Sequence, residues 1–435
     1  MSVIRSTSRR IPILDIAKYH SNRTAFVEEL RVACHTVGFF LIKHDFGDLA
    51  RTMLGETTSF FERPLEQKLS ISYENSPSFR GFMKLGVENT SGRMDYREQV
   101  EYAVEYNTTK AGTTATQPFY ERLKGKNPWP TDFQPTLEPI TNNYASEVCN
   151  VADIIRDSLC LALKLDPKDT IHDKFLAPTD NSDSENDVVP HWVIKLVSYP
   201  PPAVIPTQHT IDRTNEPSSH EEQQHQGVGA HTDTNFLTLV LQDDSSGSAS
   251  NNNNNTSEGL QAYSRGEWID VDVPSSPSAV PDSSTTNEND ASEIDSSSGT
   301  SSNNSSNFLI CNLGEQAETW SRGYFLATPH RVITKSSSPS SQQQKPRTSV
   351  PLFYNPVLSA TMGPLDHKVL DKVPWERPKK YQQQEHWRRP NNLMNPSVGE
   401  NTFKSLARSH PEVFAKHHPD LELLEDGRII LRGST

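Results

Sequence analysis

Residues 226–244 read QGVGAHTDTNFLTLVLQDD. The second half is an apolar run with the character of a buried strand, yet its mouth carries His231, Thr232 and Asp233. On an extended strand, successive side chains point to opposite faces, so positions i and i+2 share one face. His231 and Asp233 then project together, roughly 7 Å apart at the backbone. An imidazole and a carboxylate placed this way form two arms of a metal site whose third ligand must come from elsewhere.

The pattern has little force alone. Fifteen histidines are enough to produce such a pair by accident, and a second one occurs at His418-Pro419-Asp420. Pro419 excludes a central strand there. The surrounding RSHPEVFAKHHPDLE (408–422) has a helical pattern, so this second pair reads as solvated polar residues near the C-terminus. His330, in FLATPHRVITK (325–335), lifts the first pair above chance. Once two polar stretches are set aside, the interval from Asp233 to His330 holds about four strands with their turns. That suffices to circle a sandwich once and return beside His231. Two imidazoles and one carboxylate on one face form the triad of non-haem Fe(II) sites, with coordination positions left open.

Further on, Arg347-Thr348-Ser349 precedes VPLFYNP (350–356). Arg347 and Ser349 share a strand face, and a guanidinium beside a hydroxyl suits a carboxylate. Tyr199, in KLVSYPPP (195–202), offers a phenol donor. Read without context, Arg347 is a strand-entrance arginine and Tyr199 an aromatic core residue.

The whole chain sets the bounds. It has 435 residues, 33% of them hydrophobic, with 42 Lys and Arg against 55 Asp and Glu, a net charge of -13. The low apolar content implies that part of the length is unpacked. No basic cluster is dense enough to track phosphates, which argues against nucleic acid as a partner. Cys34, Cys149, Cys160 and Cys311 are scattered, which argues against a disulfide framework or a zinc knuckle and fits a reducing compartment. No apolar run approaches the roughly 18 residues of a membrane helix, and MSVIRSTSRRIPILDI (1–16) lacks a signal peptide's apolar core. The expectation is a cytoplasmic monomer acting on a small molecule.

RIPILDI (10–16) reads as a short strand. Phe26, Leu30, Ala33, Cys34 and Val37 recur at helical spacing, predicting one amphipathic helix ending near Gly38. FFLIKHD (39–45) is a second strand, and residues 49–69 are a helix broken at Pro64. Residues 11–165 thus form a mixed α/β region. Strands then dominate, at 192–199, 236–242, 259–263, 267–273, 308–312, 328–334 and 347–355. Short strands separated by turns predict a sandwich or jelly roll. The fold class expected is mainly β with flanking helices and a double-stranded β-helix (jelly-roll) core over 190–357, followed by a helical extension over 358–435. Residues 245–257, 275–307 and 336–345 are nearly all small and polar, and EPSSHEEQQHQ (216–226) is similar. They read as disordered insertions at strand ends, where added length costs little.

Taken together these segments resemble the Fe(II)/2-oxoglutarate dioxygenases of the isopenicillin N synthase-like superfamily. The similarity covers most of 11–356. IPILDI, ACHTVGFFLIKH, FFERPLEQK, FRGF and DYREQVEY resemble that family's N-terminal region. HTD, GLQAYSRGEWIDV, CNLGEQAETWSRGYFLATPHRV and RTSVPLFYNP follow in the family's order. The resemblance implies that His231, Asp233 and His330 ligate iron. It implies that Arg347 and Ser349 hold the distal carboxylate of 2-oxoglutarate, helped by Tyr199. Many members read Asn-Tyr-Tyr-Pro where this chain reads Val197-Ser198-Tyr199-Pro200, so the Asn contact is absent. The implied reaction couples decarboxylation of 2-oxoglutarate to succinate and CO2 with oxidation of a substrate carbon by O2, with ascorbate a candidate reductant. Two alternatives are a ring-forming oxidase that needs no 2-oxoglutarate and a non-catalytic jelly-roll binding module. The second predicts a damaged triad, and the triad is whole.

Overall fold

The computed structural model describes residues 11–90, 92–105, 117–175, 190–200, 224–243, 259–274, 304–335, 345–374 and 395–433. The readings made for 245–257, for 336–344 and for most of 216–226 and 275–307 lie outside the described residues.

The N-terminal part runs β1 (Ile13–Asp15), α1 (Ala17–Ser21), α2 (Arg23–Thr36), β2 (Phe39–Lys43), α3 (Gly47–Phe61) and α4 (Leu65–Leu69). Four short strands follow: β3 (Gly81–Met83), β4 (Asn89–Thr90), β5 (Arg93–Met94) and β6 (Glu98–Ala103). Then come α5 (Leu137–Ala162), α6 (Pro167–Thr170) and α7 (His172–Phe175). Asn22 caps α2 by accepting from the Ala25 amide. The helix stops at Gly38, whose φ of +73° suits glycine, and where a Cβ would lie 2.4 Å from the Leu326 carbonyl oxygen. Pro64 breaks the next helix as expected and sits at the start of α4.

The β-rich part runs β7 (His191–Tyr199), β8 (Gln224–His231), β9 (Leu237–Gln242), β10 (Gly259–Ser264), β11 (Glu267–Asp270) and β12 (Phe308–Leu313). It continues through α8 (Glu315–Trp320), β13 (His330–Lys335) and β14 (Arg347–Asn355). The C-terminal part holds α9 (Val398–Ser409), α10 (Pro411–His417) and the strands β15 (Leu421–Leu423) and β16 (Ile429–Leu431). Over the described residues 395–433 it is two helices closed by a small antiparallel hairpin.

Two sheets form the jelly-roll core. The larger has the order β1-β2-β12-β9-β14-β7-β6-β3 and the smaller β11-β10-β13-β8. The N-terminal strands β1, β2, β6 and β3 extend both edges of the larger sheet. Alternation sorts its side chains. Leu237, Leu239 and Leu241 of β9, Ile194 and Leu196 of β7, and Val350, Leu352 and Tyr354 of β14 join Phe26, Leu30, Met53, Phe60, Ile155 and Leu159 of α2, α3 and α5 in the main core. Full burial of each such side chain contributes about 1.5–3 kcal/mol. The opposite face looks toward the smaller sheet: Phe39, Leu41 and Ile310 pack with Ala262, and Val197 and Tyr199 pack with Val228 and Val332. Both faces of the larger sheet are covered, which is why its strands are near-continuously apolar in sequence.

Two insertion readings need correction. Asn304–Asn307 form a 3-10 turn leading into β12, with Ser305 and Ser306 buried. Gln224–Gln226 belong to β8 and pair with β13. Both segments are polar in composition, but the backbone ladder and neighbouring elements order them. The strand expected over 267–273 ends at Asp270. No helix among the described residues is long and apolar enough to cross a membrane.

Candidate metal centre

His231 ends β8, and Asp233 lies beyond it in the turn to β9. The two are thus not successive positions of one strand, as the spacing suggested. The chain crosses there from the small sheet to the large one. The turn is held by the start of α8: the amides of Gly314, Glu315 and Gln316 donate to the carbonyls of Phe236, Asp233 and Asn235. Gly314 allows this approach, because a Cβ would lie 2.0 Å from the Asn235 carbonyl oxygen. His330 begins β13 and is the cross-strand partner of His231.

The turn brings the side chains closer than a pleat would. Asp233 Oδ1 lies 3.6 Å from His231 Nε2 and 3.6 Å from His330 Nε2. One ligand atom from each of the three residues lies within 4.8 Å of the others, a set that can hold a metal ion. The hydrogen bonds orient these atoms. His231 Nδ1 donates to the Gly229 carbonyl (2.8 Å), and His330 Nδ1 to that of Thr328 (3.1 Å). A carbonyl can only accept, so each Nδ1 carries a proton and each Nε2 is the nitrogen turned toward Asp233. Asp233 Oδ2 accepts from Thr238 Oγ1 (2.6 Å) and Asn312 Nδ2 (2.7 Å), leaving Oδ1 toward the imidazoles. Burial, then the neighbouring His330, push His231 down to about 4, so it is neutral at pH 7. Burial acts to raise Asp233, but His330, His231 and the two hydrogen bonds hold it below the usual carboxylate range. Two imidazoles and an ionised carboxylate whose remaining ligand atoms converge fit Fe(II).

Asp95 supports this arrangement from the N-terminal region. It is fully buried and accepts from the Gly229 amide (3.2 Å) and Gln226 Nε2 (2.8 Å). Gly229 is thereby fixed on its amide side, while its carbonyl receives His231. Thr238, Asn312, Gly314 and Asp95 had drawn no role from the sequence. Asn312 and Gly314 stand in CNLGE and Asp95 in DYREQVEY, but their roles depend on contacts across the fold.

Arg347 and Tyr199 are cross-strand partners on β14 and β7, and Ser349 pairs with Val197 and with Gln242 of β9. All lie on the face toward the smaller sheet. The Arg347 guanidinium sits 5.1 Å from the centre of the Tyr199 ring and donates to Gln242 Oε1. Ser349 is buried. The Tyr199 phenol also interacts electrostatically with the Arg97 guanidinium. Gly227 gives its ring room, since a Cβ there would lie 3.2 Å from it.

The second His-x-Asp pair departs from its reading. His418 is buried, 2% exposed, and shares a hydrogen bond with the Pro77 carbonyl (2.9 Å). Only Asp420 is solvated, and it forms a two-pronged ion pair with Arg122. His418 packs against the rings of Phe79, Phe403 and Phe414, an apolar setting its sequence neighbours do not reveal.

The family model described as non-haem dioxygenase in morphine synthesis N-terminal matches residues 11–132. Along the chain, the 2-oxoglutarate-dependent dioxygenase frbJ of Dothideomycetidae sp. (strain 11243) is 26% identical over 95% of this chain and 93% of its own. The chain belongs to the 2-oxoglutarate/Fe(II)-dependent dioxygenases. Its cofactor is Fe(II) and its co-substrates are 2-oxoglutarate and O2. Homoarginine-6-hydroxylase 2-ODD-233 of Oryza sativa is 27% identical to the dioxygenase, over 78% of this chain and 80% of its own. The solved structure of full-length Neurospora crassa T7H in complex with alpha-KG and thymine shares the fold, with a TM-score of 0.55 and 18% identity over 92% of this chain and 96% of that one.

Proposed function

We propose that His231, Asp233 and His330 hold the Fe(II) of this dioxygenase, that Arg347 and Ser349, with Tyr199, hold the far carboxylate of 2-oxoglutarate, and that the product is a hydroxylated or otherwise oxidised small organic molecule. One observation carries the reading. Each of the three candidate ligands has its second polar atom tied to the protein, so the three remaining atoms converge. When bound, Fe(II) supplies oxidative decarboxylation of 2-oxoglutarate coupled to substrate oxidation. The protein supplies orientation. Arg347 lies on the ring face of Tyr199 and beside Gln242, which limits its rotamers, and its planar fork matches a carboxylate. Ser349 adds a hydroxyl on the same face. Ser349 and Tyr199 are buried on this face, and Arg347 is half-buried. A small molecule is the expected partner, and the cytoplasm the expected location.

The deciding experiment is anaerobic loading with Fe(II) and 2-oxoglutarate, followed by admission of air and measurement of succinate. Succinate formation that needs both Fe(II) and 2-oxoglutarate, and is lost in His330→Ala, is expected. Substrate oxidation with 2-oxoglutarate omitted would overturn the reading in favour of a ring-forming oxidase.

A further inference from the structure

Beside the Arg347 and Ser349 pair, the same face of the large sheet carries a second polar group of residues. Gln99 of β6 pairs with Val197 of β7, and Val197 pairs with Ser349 of β14. Gln99 therefore shares a cross-strand row with Ser349, two strands away, or roughly 10 Å. In the next row on this face, Glu101 pairs with Lys195. Lys195 Nζ lies 3.2 Å from Glu101 Oε2 and 5.7 Å from the centre of the Phe353 ring. Glu88 completes the group, with Oε2 3.5 Å from Arg97 Nη2 and Oε1 3.7 Å from His410 Nε2. Arg97 ties the group to the metal centre, since its charge is felt at Tyr199 and at His231.

One atom here lacks what its position demands. Gln99 is fully buried, and its Nε2 donates to Glu88 Oε1 (3.0 Å). A carboxylate cannot donate, so this contact fixes the amide orientation and leaves Oε1 as an acceptor. Among the described residues, Gln99 Oε1 has no hydrogen-bond partner. A buried acceptor without a donor is costly, and a ligand N–H removes that cost. The sign of the local charge narrows the ligand. Glu88, Asp95 and Glu101 face Arg97 and Lys195, and burial holds His410 below its ordinary value. One negative charge is in excess.

We infer that Gln99 and Glu101, on the inner face of β6, recognise the primary substrate, and that they select a small molecule bearing a protonated nitrogen group, an amine or guanidinium, over an uncharged isostere. This rests on the proposed dioxygenase reading and names the class of its substrate. Gln99 Oε1 accepts one N–H, and Glu101 shares its carboxylate between Lys195 and the incoming cation. The Arg347 and Ser349 pair is left to the co-substrate.

The test compares L-homoarginine and L-arginine with L-citrulline, which replaces the guanidinium of arginine by an uncharged group of nearly the same shape. Binding is measured by calorimetry on anaerobic holoprotein containing Fe(II) and 2-oxoglutarate. At least one cationic probe should bind tenfold or more tightly than L-citrulline. Glu101→Gln and Gln99→Met should each weaken that probe by tenfold or more, with 2-oxoglutarate affinity changed less than threefold. Gln99→Met keeps every charge, so it answers even if Glu101→Gln fails to fold. Equal binding of L-citrulline, no binding of either cation, or no response to the variants overturns the inference. Failure of the dioxygenase reading looks different, because wild type would then bind no 2-oxoglutarate with Fe(II) and release no succinate.

Discussion

His231-Thr232-Asp233 and His418-Pro419-Asp420 have the same spacing and opposite fates. In both, one imidazole nitrogen is engaged by a backbone carbonyl, Gly229 in the first and Pro77 in the second. The difference lies in the carboxylate. Asp233 has one oxygen tied to Thr238 and Asn312, and its other oxygen faces two imidazoles. Asp420 has both oxygens occupied by Arg122. A His-x-Asp pattern becomes a metal site when the surrounding fold holds one oxygen and one nitrogen and leaves the others convergent. It becomes a structural lock when every polar atom is spent on the protein itself.

The sharpest way to break this contrast is to remove each carboxylate in turn. Asp233→Ala should abolish Fe(II) binding and turnover while the protein stays folded. Asp420→Ala should leave metal affinity within about twofold, since exposed ion pairs contribute little. Equal losses in the two variants, measured by metal titration, would erase the distinction. Next in size is Arg347→Ala. A charge-assisted contact to a carboxylate is worth about 1.5–3 kcal/mol, so the KM for 2-oxoglutarate should rise roughly ten- to a hundredfold with iron content unchanged. Arg347→Lys should also be impaired, because a point charge does not reproduce the fork. Thr238→Val keeps the shape and removes one hydrogen bond from Asp233 Oδ2. Losses of this kind typically cost about ten- to a hundredfold in metal affinity, and with Asn312 still donating we expect about tenfold. An unchanged affinity would mean that the orientation of Asp233 is set by the turn alone.

How much of this was legible beforehand follows from the range of the contacts involved. β9, β12 and β14 were readable because both of their faces are buried, which makes them apolar runs. α2 was readable from its 3.6-residue period and its stop at Gly38. The three candidate ligands were visible as residue types, but the geometry joining them was not. Spacing alone placed His231 and Asp233 on one strand, whereas the amides of α8, some 80 residues on, bend the chain between them. Asp95 escaped notice for the same reason: its partners Gln226 and Gly229 are distant in sequence. His418 looked solvated among Lys, His and Pro neighbours, yet Phe79 and Pro77, contributed from far upstream, bury it. Composition misjudged Asn304–Asn307 because small polar residues also suit a tight turn.

The corrected setting of His418 gives a prediction about stability. His418→Ala should leave metal binding and turnover unchanged at low temperature. It should lower stability by about 2–4 kcal/mol, through the cavity among Phe79, Phe403 and Phe414 and the loss of a partner for the Pro77 carbonyl. Denaturant unfolding of the two proteins measures this. A loss of metal affinity with stability intact would mean that the second pair reaches the metal centre after all.

The smallest effect concerns Asp420, and its pH dependence identifies its cause. The hydrogen bonds from Arg122 are the main reason this carboxyl lies below its ordinary range. A carboxyl whose folded pKa is depressed contributes stability that is complete above its unfolded pKa, about 3.9. That contribution is lost as pH falls through the lower folded value. Asp420 is half exposed, so water and salt screen the pair, and its worth at neutral pH is about 0.5 kcal/mol or less. Wild type and Asp420→Asn should therefore differ by that amount in urea unfolding at pH 7 and low ionic strength. The gap should narrow below about pH 4 and shrink further in high salt. A gap that widened on acidification would require Asp420 to be stabilised as the neutral acid, and the Arg122 pair would then not be what holds the second motif in place.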